Sequence, residues 1–158
     1  MIENFASTDD QAPAGLELLA FRVGDQEFCI EVLAVRELRG WSPATPLPRA
    51  PPYMRGVINL RGTVLPIVDL AVRLGLPSGE PSARHVIIVA AVGDQTVGLL
   101  VDGHCEIVVA PDGAMQPAPD IRSDTVETFV SALITIEDRM IGLLILDQLL
   151  PPQEAQAA

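Results

Sequence analysis

The sequence predicts an all-β protein built from two small barrels. Valine, isoleucine and leucine are abundant, aromatic residues make up 4% of the chain, and 14 prolines and 12 glycines divide it into short runs. The tetrapeptide VGDQ occurs twice, at Val23–Gln26 and Val92–Gln95, each time between apolar runs. Short β-rich runs separated by turn residues are typical of a sandwich or barrel. About five strand candidates in each half fit a small closed barrel, which leaves few exposed edges.

The first half contains two hairpins joined by a further strand. Its strand candidates are Leu16–Val23, Glu27–Glu31, a helical turn followed by a strand within Val32–Arg39, Val57–Leu60 and Thr63–Val68. The segment 40–52 carries five prolines, which cannot donate a ladder hydrogen bond, so we expect an ordered connector there. Arg61-Gly62 is the predicted turn of the second hairpin, since glycine tolerates positive φ. The nearly unbroken apolar arms of this hairpin indicate strands covered on both faces.

The second half repeats this pattern. A loop at Arg73–Ala83 precedes strand candidates at His85–Val92, Val97–Val101, Cys105–Val109, Val126–Ile136 and Met140–Leu146, with a loop at Pro111–Asp124. LPIVDL at Leu65–Leu70 resembles LLILDQL at Leu143–Leu149, which places Asp69 and Asp147 in corresponding positions. The two VGDQ motifs are 69 residues apart, whereas Asp69 and Asp147 are 78 residues apart. We therefore expect an insertion in the second half, such as the 111–124 loop.

A duplication therefore predicts one domain over residues 15–150. Its barrel modules are interleaved around roughly 15–80 and 84–150. Because units of this size are marginal alone, we expect the modules to pack on one another. Residues 1–14 and 151–158 are polar and are expected to be flexible tails.

Composition excludes several classes of function. The net charge of −11 argues against a surface that follows nucleic-acid phosphates, and favours solubility or a basic partner. No apolar run approaches the roughly 18–20 residues that span a bilayer. The N-terminus lacks the basic and apolar regions of a secretory signal. Cys29 and Cys105 are too few for a disulfide framework, so reduced thiols and a cytoplasmic location are expected.

Catalytic and cofactor motifs are missing from the sequence. It contains no G-x-G-x-x-G or Walker loop, and no G-x-S-x-G elbow accompanies Ser131. His85 and His104 lie among apolar neighbours, and in the run His104-Cys105-Glu106 adjacent side chains on a strand would point to opposite faces. We therefore expect no enzyme activity, no cofactor and no metal, but a protein that acts by binding.

The run MRGVINLRGTVLPIVDL resembles the CheW family of bacterial chemotaxis coupling proteins. It is preceded by LLAFRVGDQEFCIEVLAVRELRG and followed by the second VGDQ and by DRMIGLLILDQLL, so the resemblance extends from about Leu16 to Leu150. It implies two SH3-like five-stranded barrels packed together. It also implies a non-catalytic adaptor between transmembrane chemoreceptors and the histidine kinase CheA, with membrane association only through the receptors.

The same resemblance implies two sets of contact residues. The receptor-binding set is Val35, Glu37, Gly56, Arg61 and Gly98. The kinase-binding set is Leu47, Val64 and Pro66, with Gln116 and Ile121 of a second loop, where the family often has a basic residue and an aromatic. We expect Glu37 and Arg61 to form an ion pair.

Two alternatives remain open. A related adaptor of another chemosensory system has the same fold, and the sequence does not separate the two. A small barrel that binds single-stranded nucleic acid would need a basic groove with aromatic residues, whereas this chain has one tryptophan, one tyrosine and a net charge of −11.

Overall fold

Eleven strands in two sheets make up most of the described chain. The computed structural model describes residues 15–111, 113–117 and 129–150. The strands are β1 (Gly15–Val23), β2 (Gln26–Glu31), β3 (Val35–Gly40), β4 (Met54–Leu60), β5 (Thr63–Asp69), β6 (Val86–Val92), β7 (Gln95–Val101), β8 (Gly103–Pro111), β9 (Met115–Pro117), β10 (Val130–Ile136) and β11 (Arg139–Leu144). The helical elements with bounds inside the described ranges are a 3-10 turn (Val32–Ala34), α1 (Leu70–Arg73) and α2 (Leu146–Leu149). The predicted all-β fold is confirmed, although β9 lies in a segment that we expected to be loop.

Each barrel takes strands from both halves of the sequence. The central barrel has the sheet order β3-β6-β7-β5-β4, and the terminal barrel has the order β8-β1-β2-β11-β10-β9. Parallel pairing of β5 with β7, and of β11 with β2, joins the opening hairpin of one half to the closing hairpin of the other. Neither barrel is therefore confined to 15–80 or to 84–150, which corrects the expected module boundaries. The β4–β5 hairpin lies beside β7, and not beside β1 and β2.

Strand register shows that the two halves are equivalent. The cross-strand pair Leu38–Ile88 of the central barrel corresponds to the pair Ile107–Leu19 of the terminal barrel. In the same way, the pair Ile58–Leu65 corresponds to the pair Ile134–Ile141. Equivalent residues are 69 positions apart up to β3 and β8, and 76 positions apart afterwards, so the expected insertion lies between β8 and β10. The expected offset of 78 was wrong. Asp69 is the N-cap of α1, and its counterpart is Ile145, the N-cap of α2, whereas Asp147 lies inside that helix.

Three apolar clusters explain why the strands are so continuously apolar. On β1, Leu18 and Ala20 point into the terminal barrel, while Leu19 and Phe21 belong to the interbarrel core, the large cluster to which both sheets contribute. A third cluster, which includes Ile87 of β6, fills the central barrel. Successive side chains on a strand point to opposite faces. Since both faces of these strands are covered, alternation of apolar and polar residues is absent there, and the barrels pack on one another as predicted.

Both closing hairpins turn through residues with positive φ. Arg61 and Gly62 have φ values of 52° and 87° at the β4–β5 turn, and Glu137 and Asp138 have values of 50° and 69° at the β10–β11 turn. Two central residues with positive φ are the hallmark of a type I′ turn, whose twist matches that of the flanking strands. The predicted turn at Arg61-Gly62 is therefore confirmed.

Candidate partner-binding site

An ion pair joins the two edges of the central barrel. Arg61 Nη2 donates a hydrogen bond to Glu37 Oε1 over 2.9 Å. Glu37 lies on β3 and Arg61 follows β4, and these strands are the opposite edges of the five-stranded sheet. The pair therefore spans the place where the sheet curls on itself. The expected pairing of these residues is confirmed, and the side chain of Arg61 remains 71% exposed.

A second guanidinium approaches the same carboxylate. Arg39 Nη1 lies 3.8 Å from Glu37 Oε2, and Arg39 Nε is buried without a hydrogen-bond partner. Next to the pair, Asn59 Oδ1 accepts a hydrogen bond from the Gly62 backbone N–H at 2.9 Å, which fixes the turn that carries Arg61. Two guanidinium groups thus share one carboxylate, so this surface is locally positive on a chain whose net charge is −11.

The other expected receptor contacts are less accessible. Val35 is half-buried and packs against the interbarrel core. Gly56 is buried with φ 138°, and a Cβ at this position would overlap the backbone oxygen of Thr45. Gly98 is also buried, and a Cβ there would lie 2.7 Å from Ile67 Cδ1 inside the central barrel. Both glycines therefore serve the packing of the barrel and offer no side-chain surface to a partner.

The first three expected kinase contacts lie on or near the closing hairpin of the central barrel. Val64 is 62% exposed and Leu47 is 45% exposed, while Pro66 is half-buried. Val64 and Pro66 alternate on β5 and so share one face of the hairpin. An isolated bridge between Thr45 and Val57 holds the connector that carries Leu47 beside β4. The prediction that both faces of this hairpin are covered is therefore wrong at its tip and holds only at its base.

The second expected kinase loop is described only in part. Gln116 is exposed on β9, where it pairs with Leu133 of β10. Ile121 lies outside the described residues.

Sequence reasoning missed exposed leucines around β3. Leu33 in the 3-10 turn is 84% exposed, and Leu38 on β3 is 46% exposed, one position after Glu37. Large apolar side chains that remain in water beside a charged pair are a common feature of protein contacts. The sequence held no signal for them, because VLAVRELR has the same apolar content whether its leucines are buried or not.

Sequence reasoning also missed a second charged cluster, in the terminal barrel. Arg139 donates to both oxygens of Glu27, at 3.1 and 2.9 Å, and its Nη2 donates to Glu106 Oε2 at 2.7 Å. These hydrogen bonds lower the pKa of Glu27, although partial burial opposes the shift. The hydrogen bonds to Glu27 and Glu106 also raise the pKa of Arg139, because they stabilise its charged form. The three residues are far apart in sequence, which is why no motif indicated the cluster.

Other candidate groups have structural explanations. Cys29 is fully buried in the terminal barrel, where it packs as a small hydrophobic side chain, and burial raises the pKa of its thiol to about 12. Trp41 packs against the core of the central barrel. Within residues 15–111, 113–117 and 129–150, no three His, Cys, Asp or Glu side chains are grouped to hold a metal ion. Over the same ranges, the helices are too short to cross a membrane.

The described chain thus forms two packed SH3-like barrels, each with an arginine ion pair at its closing hairpin, which is the architecture of a CheW-like domain. The chain belongs to the CheW-like domain family, whose model matches residues 17–154. It is 57% identical to the chemotaxis protein CheW of Rhizobium meliloti over 91% of this chain and 93% of that protein. It is 54% identical to a probable chemotaxis protein CheW of Rhizobium etli, over 90% and 92%. The scaffolding protein TtCheW from Thermoanaerobacter tengcongensis superposes with a TM-score of 0.81 and 25% identity, covering 88% of this chain and 94% of that one.

Proposed function

We propose that this chain is a non-catalytic cytoplasmic adaptor that couples transmembrane chemoreceptors to the histidine kinase CheA. Membership of the CheW-like family supports a role in chemotaxis. The observation that carries the proposal is the Arg61–Glu37 pair, which holds an exposed guanidinium at the tip of a rigid hairpin. Arginine in such a setting can bind a partner's carboxylate through two hydrogen bonds.

The receptor surface in this proposal consists of Glu37, Arg39 and Arg61 with the exposed Leu33 and Leu38. A helical receptor tip would place apolar side chains against the leucines and a carboxylate against the two guanidinium groups. Arginine and buried apolar contacts dominate the energetics of most protein interfaces, which is the pattern this surface offers. Val35, Gly56 and Gly98 enter this proposal through packing, because they shape the barrels that carry the surface.

The kinase surface in this proposal is the apolar face of the central hairpin. Val64 and Leu47 are large exposed side chains, and Pro66 extends the same face along β5. Gln116 and Ile121 stay in the proposal as a second contact with the kinase or its array. Exposed apolar side chains on adjacent segments are typical of a protein contact.

Reconstitution of the three components tests the proposal. Purified CheA would be assayed for autophosphorylation with a receptor cytoplasmic fragment, with this chain, and with both together. We expect a rise in activity only when both are present, and pulldowns in which the chain retains each partner separately. Failure to bind either CheA or the receptor fragment would contradict the proposed function.

A further inference from the structure

A cavity of about 720 Å³ lies where the two barrels meet. Arg22 and His104 line it from the terminal barrel, and Leu100 lines it from the central barrel. The loop between α1 and β6 closes it with Glu80, Arg84 and His85 among others. The chain has two histidines, and both of them line this one cavity.

The carboxylates around the cavity are mostly committed to other partners. Asp69 is buried and accepts a hydrogen bond from Arg55 Nε at 2.9 Å. Asp102 accepts a hydrogen bond from the Gly24 backbone N–H at 2.7 Å and lies 3.6 Å from His85 Nε2. Glu80 is the remaining acid of the lining, and it is exposed.

The arginines of the lining are not committed in this way. Arg22 and Arg84 form no ion pair within 4 Å in the part of the chain that the structure describes, although Arg22 lies near enough to Glu27 to contribute to lowering its pKa. His104 is exposed at the rim with φ 56°. Two arginines without an ion pair among the described residues therefore line one cleft of a chain that carries 21 acidic residues against 10 basic ones.

The duplication supplies an internal comparison. The equivalent place in the other half is a cleft of about 300 Å³, in which Glu31, Ile145 and Asp147 stand where the larger cavity has Leu100, Asp69 and Ala71. No basic residue lines this smaller cleft. The shared barrel framework consequently does not require cations at this junction, so their presence in the larger cavity needs a separate explanation.

We propose that the larger cavity binds a small oxyanion, the phosphate or carboxylate group of a small molecule. Guanidinium groups match the geometry of both anions, and Arg22 and Arg84 place positive charge in the lining of this cleft. Arg22 and Arg84 supply the charge, and the exposed imidazole of His104 supplies a further donor. An anion held there contacts both barrels and links them. This inference is independent of the proposed adaptor function.

Proton resonances of the two histidine rings report directly on the site. The full chain would be titrated with inorganic phosphate, at an ionic strength held constant with sodium chloride, while the imidazole signals of His85 and His104 are followed by NMR. We expect saturable shifts of both rings. A parallel titration with acetate separates a preference for phosphate from a preference for carboxylate.

Charge variants then identify the groups that bind. Arg22→Gln and Arg84→Gln should each weaken binding about tenfold, since a hydrogen bond to a charged group is lost. Glu80→Gln should tighten it by removing a repulsive charge. Arg49→Gln, which changes an exposed arginine away from the cavity, should leave the affinity unchanged. Shifts that are linear in phosphate and acetate alike, or equal weakening by Arg49→Gln and the cavity variants, would overturn the proposal.

Discussion

Glu37 and Glu106 occupy equivalent positions in the two barrels, and each accepts a hydrogen bond from an arginine of the opposing closing hairpin. Their partners are Arg61 at 2.9 Å and Arg139 at 2.7 Å. The arginines themselves are not equivalent, since the counterpart of Arg61 is Glu137. An ion pair between this glutamate and a hairpin arginine is thus common to both barrels. The arginines differ in exposure, which is 71% for the side chain of Arg61 and 29% for that of Arg139. Only the central barrel presents its arginine freely to a partner.

Replacing Arg139 with glutamine should destabilise the protein by about 1–2 kcal/mol, because two carboxylates lose a charged donor. The same variant should change the response to acid. The pKa of Glu27 is lower in the folded chain than its ordinary value of 4.5, so the folded state binds fewer protons than the unfolded state in acid. The stabilisation is therefore complete above about pH 4.5 and is lost as the pH falls through the folded pKa.

Urea unfolding of Arg139→Gln and the wild type between pH 3 and 7 measures this effect. We expect the two stability curves to differ at pH 7 and to converge toward pH 3. Parallel curves would show that Glu27 does not depend on Arg139.

Asp69→Ala should destabilise the protein by about 3 kcal/mol, since it leaves Arg55 without its partner and α1 without its cap. Asp147 is the matched control, because it resembles Asp69 in sequence but is exposed inside α2. Asp147→Ala should change the free energy of unfolding by less than about 0.5 kcal/mol. Comparable losses in the two variants, measured by chemical denaturation, would contradict the register-based alignment of the halves.

Gly56→Ala should cost about 3–5 kcal/mol, because its Cβ would meet the Thr45 backbone and because φ 138° is strained for alanine. Gly62→Ala at the hairpin turn meets open space, so only the strain of positive φ remains, about 1–2 kcal/mol. Thermal unfolding ranks the two variants. If Gly56→Ala were as stable as the wild type, Gly56 would not serve the packing of the barrel.

Val64→Glu should weaken binding to CheA at least tenfold while shifting the melting temperature little, since the side chain is 62% exposed. Leu65→Glu is the contrasting variant, because Leu65 is fully buried in the central barrel and the change should unfold it. Isothermal titration with the CheA regulatory domain measures the first effect, and circular dichroism the second. Wild-type affinity in Val64→Glu would remove this face from the kinase surface.

Local features of the fold were predictable from local sequence. VGDQ marks a hairpin turn in both halves, and Arg61-Gly62 supplies the positive φ of a third turn. The exchange of hairpins between barrels was not predictable, because β1 and β6 are covered on both faces and an unbroken apolar run does not say which barrel it faces. The alignment of Asp69 with Asp147 was wrong because it rested on local sequence similarity. The strand register shows that Ile145 is the residue equivalent to Asp69.

The candidate site was predictable only where a resemblance pointed to it. Glu37 and Arg61 are 24 residues apart, and no spacing rule indicates that a curled sheet brings them together. The burial of Gly56 and Gly98 could not be inferred, since glycine is equally compatible with an exposed contact and a close packing position. The cluster around Arg139 joins residues up to 112 positions apart. These residues meet only because β11 of the second half pairs with β2 of the first half.

A double-mutant cycle on Glu37 and Arg61 tests the central claim most directly. The affinity of a receptor cytoplasmic fragment would be measured for the wild type, Glu37→Ala, Arg61→Ala and the double variant, with Arg139→Ala as the control at the other barrel. We predict that Arg61→Ala weakens binding about tenfold, that the double variant is little weaker than Arg61→Ala alone, and that Arg139→Ala binds like the wild type. Additive effects of the two single changes, or equal losses for Arg61→Ala and Arg139→Ala, would contradict the account.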